Sequence, residues 1–377
     1  MYSRFVSYQN YSSFFIFGAR GVGKSMWVKA EFPNAIYVDL LSAKIFNELQ
    51  ANPSRLVQMI TGKNPELVII DEIQKIPALL DEVHKLIEEK KIKFILTGSS
   101  ARKLKQQGVN LLAGRALTKK MYPLTARELG SDFKLEKSLQ YGQLPKAYLD
   151  PAPDEFLHAY IKTYLKEEVM QEGLTRNIEA FARFLEAASF SQGQYLNICA
   201  VASDCHVERK TVEQYFQILE DMLLAYRLPV FTKKAKREIT RHPKFFFFDV
   251  GVFRALRPRG PLDRPEEIDG PALEGLLLQE LIAENEYLNR KYNFFCWKAQ
   301  KSLDVDIVMY GPAGLIAIEI KRTARLRGGE LDGLKLFKKD YPMAKTYFIW
   351  GSDEERNIDG VNIIAMQKFL TQIEKYI

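Results

Sequence analysis

The sequence predicts a multi-domain α/β chain: a parallel-sheet core, a helical middle region and a second α/β domain. Three observations predict it. Apolar runs of strand length alternate with helix-forming segments over residues 1–130, the pattern of strands joined by crossover helices. Residues 131–260 are dominated by amphipathic helical periodicity. Residues 261–377 return to strands flanked by helices.

The first element is an apolar run at residues 14–17, read as a buried strand, with a glycine-rich turn directly behind it in FFIFGARGVGKS. Gly18, Gly23, Lys24 and Ser25 fit G-x-x-x-x-G-K-[ST], the phosphate-binding P-loop. Ala19, Arg20, Gly21 and Val22 fill the open positions, and Met26 starts the helix-forming segment 26–31. Glycines let backbone N–H groups close around phosphate oxygens, and the helix N-terminus adds its positive dipole end. Lys24 is placed to reach the β- and γ-phosphates and the Ser25 hydroxyl to ligate Mg²⁺, so the expected cofactors are ATP and Mg²⁺.

Residues 35–40 (AIYVDL) form the next expected strand, and 67–71 a third, apolar until Asp71 and Glu72 at its end. An aspartate there holds the Mg²⁺ shell, and the glutamate after it orients or deprotonates the attacking water. An amphipathic helix over 78–91 follows, then a strand over 93–97. That strand delivers Thr97 and Ser99 to the sheet edge where α/β proteins bind ligands, as γ-phosphate sensors, with a helix cap the competing reading of Ser99.

Composition narrows the class. At 377 residues with 47% hydrophobic and 27% charged content, the chain has room for two or three ordinary domains. No apolar run approaches the roughly 20 residues of a membrane helix, and the first residues are too polar for a signal peptide. Three cysteines without C-x-x-C spacing fit a reducing compartment, so a cytoplasmic address and no membrane partner are expected. The net charge of +7 is a modest pull toward polyanions.

In the middle region, residues 154–172 and 177–188 read as amphipathic helices, the second with Phe181, Phe184 and Leu185 on one face as core. Residues 196–227 read as a short helix, a turn around 203–207 and a longer helix over 208–224. That helix-turn-helix pattern puts Arg209, Lys210, Thr211, Gln214 and Gln217 on an exposed side, as contacts to duplex DNA or as the solvated face of a protein-docking module. Lys233, Lys234, Lys236, Arg237, Arg241 and Lys244 then precede four phenylalanines, a basic wing before a buried strand.

The last domain is expected after the exposed connection RPRGPLDRPEE. A helix over 270–287 carries Glu274 and Glu280, and strands follow at 292–299, 304–310 and 314–321. Strand alternation groups Asp304 with Asp306, and Glu319 with Lys321. Helix glutamate, strand aspartate and E-x-K make the pattern of the PD-(D/E)XK nuclease core. Asp306 and Glu319, with Glu274, are placed to hold a second divalent metal, Mg²⁺ or Mn²⁺, and Lys321 to orient water or stabilise developing charge. A strand at 346–350 and a closing helix complete the fold.

GARGVGKS, IIDEIQKIP, LTGSS, LLAGR and YPLTARE, in this order, resemble bacterial and archaeal AAA-type ATPases in which the core precedes a helical linker, a winged-helix region and a nuclease-like domain of unknown function. The resemblance implies that Arg115 of the LAGR segment acts as an arginine finger or sensor; the residues alone allow a surface role equally, and the same holds for Arg20. Glutamate is common in the family at Asp304, which leaves Asp306 the expected ligand. A homo-oligomer is plausible because such enzymes often use a neighbour's arginine. The expectation is an ATPase whose nucleotide state controls DNA-directed winged-helix and nuclease-like modules. The alternative is a regulatory switch on a protein partner, of defence or toxin–antitoxin type, with an inert nuclease fold.

Overall fold

The structure, a computed structural model, describes residues 2–8, 12–62, 65–102, 104, 112, 115–165, 177–232, 242–261, 263–300 and 303–377. It forms two compact units, Ser3–Pro123 with Asp221–Leu223, and Leu124–Glu220 with Leu224–Ile377 and the N-terminal Tyr2.

The first unit is built on β1 Ser13–Phe17, β2 Ile36–Asp39, β3 Leu67–Asp71, β4 Lys93–Gly98 and β5 Ala116–Lys120. The sheet order is β2-β3-β4-β1-β5 and every pair is parallel. A parallel sheet covered on both faces needs strands apolar at nearly every position, and β1 is buried throughout. Helix Leu79–Lys90 turns Leu79, Leu80, Val83 and Leu86 inward at helical spacing onto a core that includes Phe15, Val68, Phe94 and Leu96. Each such side chain contributes about 1.5–3 kcal/mol by leaving water. Because β1 lies between β4 and β5, the turn after β1 opens beside the end of β4, and β3 brings Asp71 to the same edge.

In the second unit, helices Ile198–Cys205 and Arg209–Asp221 are joined by a turn at His206 (φ 54°), with the Asn197 side chain capping the first. The second helix is shorter than the expected 208–224. Phe181 and Phe184 pack against Tyr215 and Phe216, so this aromatic stripe is core. Next come β6 Ala225–Leu228 and β7 Lys244–Phe247, an antiparallel pair that buries Phe245–Phe247, with Phe248 buried just after. Lys233, Lys234, Lys236, Arg237 and Arg241 lie outside the described residues, as does the 166–172 part of the expected helix. Lys244 is described, and it corrects the reading of a basic wing at that position: it is 4% exposed, drawn inward by carboxylates.

The C-terminal sheet contains β8 Asn293–Gln300, β9 Leu303–Gly311, β10 Gly314–Ile320, β11 Lys345–Trp350, β12 Arg356–Ile358 and β13 Val361–Ala365, in the order β12-β13-β11-β10-β9-β8. β8, β9 and β10 form an antiparallel meander, while β10, β11 and β13 run parallel. Helix Pro265–Tyr287 begins five residues before the expected 270. Proline suits a helix's first turn, where no N–H partner is needed, so residues 265–269 are helix and not connection.

That helix also anchors the segment after residue 124. Glu280 accepts hydrogen bonds from the Ala126 N–H and Gln143 Nε2, each at 2.8 Å, and Glu284 accepts from Thr125 Oγ1 at 3.1 Å and pairs with Arg127. Thr125 and Glu128 close a capping box on helix Ala126–Leu129.

Candidate functional site

The phosphate loop follows β1. A Cβ on Gly18 would meet the Met121 carbonyl oxygen at 2.2 Å, so only glycine fits where β1 turns under the next strand's end. Gly23 takes φ 99° immediately before helix Lys24–Glu31, which starts at Lys24 itself. The buried Lys24 ammonium donates to the carbonyls of Gly18 and Ala19 at 2.7 and 3.1 Å, folded into its own loop.

Asp71 is the hub of this edge. Its carboxylate accepts from Ser25 Oγ at 3.0 Å and from the hydroxyls of Thr97 and Tyr37. Burial first, and then the hydrogen bond to Asp71, raise the Tyr37 hydroxyl above its ordinary range. Thr97 Oγ1 also accepts the Glu72 N–H at 3.1 Å, and Glu72 adopts φ 63°. Gln74 Nε2 donates to Glu72 and, at 3.1 Å, to Ser99 Oγ, so it joins the strand-end glutamate to the end of β4. Gln74 Oε1 is buried with no hydrogen-bond partner.

Ser25 and Asp71 fit a Mg²⁺ shell, because a hydroxyl and a carboxylate oxygen converge beside the phosphate loop, the hard-oxygen donor set that this ion takes. The structure thus brings Gly18, Lys24, Ser25, Asp71, Glu72, Thr97 and Ser99 to one edge. Arg115 stands elsewhere. It precedes β5, whose Ala116 pairs with Ser13 at the start of β1, and its guanidinium pairs with Glu88, so it lies at the sheet edge opposite the phosphate loop of its own chain. Tyr37 and Gln74 were not anticipated. Alternation along β2 and the IIDEIQ spacing carry the only trace of them in the sequence.

In the second unit, Glu274, Asp306, Glu319 and Lys321 do converge. Lys321 Nζ lies 2.6 Å from Glu319 Oε1 and 4.0 Å from Asp306 Oδ2. The Asp306 N–H faces Glu319 Oε2 at 3.3 Å, and Asp306 Oδ2 accepts the Ile320 N–H at 3.1 Å. Into this group projects Lys244, whose ammonium is 3.1 Å from Asp306 Oδ1 and 3.3 Å from Glu274 Oε2. Burial alone would raise the Asp306 carboxyl, but Lys244 and Lys321 outweigh it and hold it below the usual carboxylate range. Burial and the Asp306 charge push Glu319 well up, and Glu274 up to about 7. With Lys244 between two of the carboxylates, this arrangement does not fit a divalent ion. Among the described residues, no group of three or more His, Cys, Asp or Glu side chains is arranged to hold a metal.

Arg209, Lys210, Gln214 and Gln217 are exposed on helix Arg209–Asp221, as expected from its pattern, but Glu208 and Glu213 share that face and Arg209 pairs with Glu213 at 3.0 Å. Among the described residues, no helix is long and apolar enough to cross a membrane.

Comparisons with known proteins bear on each region. Residues 10–130 match the family model described as an AAA domain, while residues 132–263 and 269–369 match two domains of unknown function, DUF8612 and DUF4143. An uncharacterized protein of Haemophilus influenzae is 23% identical over 340 residues, covering 84% of this chain and 81% of that one. Two solved structures are similar at a TM-score of 0.22, too low to carry an argument. One is a signal transduction ATPase with numerous domains and a tetratricopeptide repeat sensor from Pyrococcus horikoshii, at 14% identity, covering 77% of this chain and 49% of that one. The other is protein VC1899 from Vibrio cholerae, at 13% identity, covering 86% and 94%. With the phosphate loop and the acidic strand end beside it, the match over residues 10–130 supports an AAA-type P-loop ATPase domain in this part of the chain.

Proposed function

We propose that this chain is a Mg²⁺-dependent, ATP-hydrolysing AAA-type ATPase whose nucleotide state controls what its helical and C-terminal modules engage, with duplex DNA as the partner. One observation carries the ATPase reading: Ser25, Asp71, Thr97 and Glu72 form a continuous hydrogen-bonded chain beside the phosphate loop. Residues 18–26 bind the phosphates, and Lys24 exchanges its loop carbonyls for phosphate oxygens. Ser25 and Asp71 would hold Mg²⁺, which when bound would neutralise charge on the phosphates. Glu72, held through Gln74, takes the proton of the attacking water, and Thr97 and Ser99 report on the phosphate edge. The position of Arg115, away from its own phosphate loop, supports a role in trans on a second copy of this chain.

For DNA, the support is the exposed Arg209, Lys210 and Gln214 on the second helix of the turn-linked pair. A second reading, a nucleotide switch on a protein partner with an inert C-terminal site, is favoured by the mixed charge of that same face, where Arg209 is paired with Glu213. ATP hydrolysis measured with and without duplex DNA at low salt decides between them. Stimulation that is lost at high salt and in R209A/K210A supports the DNA reading, because phosphate contacts are salt-sensitive. Hydrolysis indifferent to DNA supports the protein switch, and no hydrolysis under any condition overturns the ATPase reading.

A further inference from the structure

We infer that Lys244 is the resident cation of the C-terminal carboxylate site: its tethered ammonium takes the place that a divalent metal takes in an E-x-K site and keeps that site metal-free. Lys244 comes from β7, outside the C-terminal sheet, yet its side chain is 5% exposed and lies within 3.3 Å of both Glu274 and Asp306. Lys321 is 39% exposed and holds Glu319 from the other side.

β7 is fixed from two directions. Leu228 of β6 pairs with Lys244, and on the other side the Gly193 N–H donates to the Phe245 carbonyl, the Phe245 N–H to Gln194, and the Phe247 N–H to the Gln192 side chain. The ammonium is therefore carried by a strand that is hydrogen-bonded on both edges, and the two carboxylates hold its end. A long flexible cation buried this deeply pays side-chain entropy and desolvation, which two carboxylates at hydrogen-bond distance offset.

Charge completes the case. Glu274, Asp306 and Glu319 bring three formal negative charges, and Lys244 and Lys321 return two positive ones. A divalent ion would enter a group of formal charge −1, with Asp304 nearby, in which the space between Glu274 and Asp306 is already taken. With Lys244 removed, the remaining formal charge matches a divalent ion, and Glu274 and Asp306 lose the cation between them while Lys321 stays with Glu319. The inference rests on this grouping and is independent of ATP hydrolysis.

The test is a Mn²⁺ titration of the nucleotide-free full chain, with free Mn²⁺ read by electron paramagnetic resonance. It compares wild type, E274Q, K244M and K244M/E274Q. Mn²⁺ held near Ser25 and Asp71 is common to all four and cancels. Equal Mn²⁺ stoichiometry in wild type and E274Q is expected, with one further equivalent in K244M that the double variant loses. Mn²⁺ should also raise the Tm of K244M by more than that of wild type. Loss of a bound Mn²⁺ from wild type on E274Q overturns the inference, and so does a folded K244M that gains none. If K244M does not fold, the wild type and E274Q pair still decides: equal stoichiometry supports Lys244 as the cation, and unequal stoichiometry overturns it.

Discussion

Ser25 Oγ donates to Asp71 Oδ1 across 3.0 Å, joining the residue after the phosphate-loop lysine, Lys24, to the end of the third strand. This contact unites two motifs 46 residues apart and places the two oxygens that would share a Mg²⁺ ion. Removing either oxygen should show first in metal dependence. S25A is expected to raise the Mg²⁺ concentration needed for half-maximal ATP hydrolysis, while binding of nucleotide without metal changes little. Hydrolysis rates across a Mg²⁺ series check this.

Glu72 and Lys24 should separate chemistry from binding. E72Q keeps the shape of the side chain but loses the base, so kcat should fall about 10²–10⁴-fold while ATP still binds. K24M should weaken ATP binding itself, because it removes the ammonium that the proposed mechanism moves from the Gly18 carbonyl to the phosphates. Fluorescent-nucleotide titration beside a phosphate-release assay distinguishes the two outcomes.

Thr97 serves Asp71 and the Glu72 backbone with one hydroxyl, at a fully buried position. T97V preserves volume and removes both contacts. It takes the partner from the part-buried Glu72 N–H and from one Asp71 oxygen, which costs about 1 kcal/mol of stability. Thermal unfolding should register that loss, and hydrolysis should fall with it because Glu72 loses its anchor.

Asp249 gives a pH signature. It caps helix Val250–Leu256, accepting the Val252 N–H at 3.1 Å and the Gln143 N–H at 2.8 Å, yet burial pushes its carboxyl up to about 6. A folded-state value above the unfolded one stabilises the fold at low pH, and that stability is lost as pH rises between the unfolded value near 4 and about 6. The step is about 3 kcal/mol by linkage, and D249N should remove it. Calorimetric unfolding of both proteins from pH 4 to 7 is the check.

Much of the nucleotide site was legible because its chemistry is local: a glycine turn between strand and helix, and an acidic pair at a strand end. Strand alternation also grouped Glu319 with Lys321, and the pairing of β9 with β10 brings Asp306 to them. What could not be read were partners assembled by the fold. Tyr37 reaches Asp71 only because β2 and β3 are neighbours, and nothing in a lone tyrosine announces it. Lys244 misled for a related reason. It ends a run of basic residues, and a charge run ordinarily reads as a solvated surface; the sequence holds no sign that carboxylates 30 and 62 positions later would draw it inside. The start of helix Pro265–Tyr287 was misplaced because its prolines read as connection, although one of them suits a first turn.

The attachment of Ala126 and Gln143 to Glu280 has a consequence for how this protein is made. Its partners are separated by 154 and 137 residues, so the segment after residue 124 waits for helix Pro265–Tyr287 to emerge from the ribosome. The five-stranded sheet of the first unit, in contrast, is complete once residue 120 has been translated. During synthesis the phosphate loop can therefore close, and meet nucleotide, well before the rest of the chain has found its own core. A nascent chain halted between these points would carry a formed nucleotide pocket, with the Ala126 N–H and Gln143 still without their Glu280 partner.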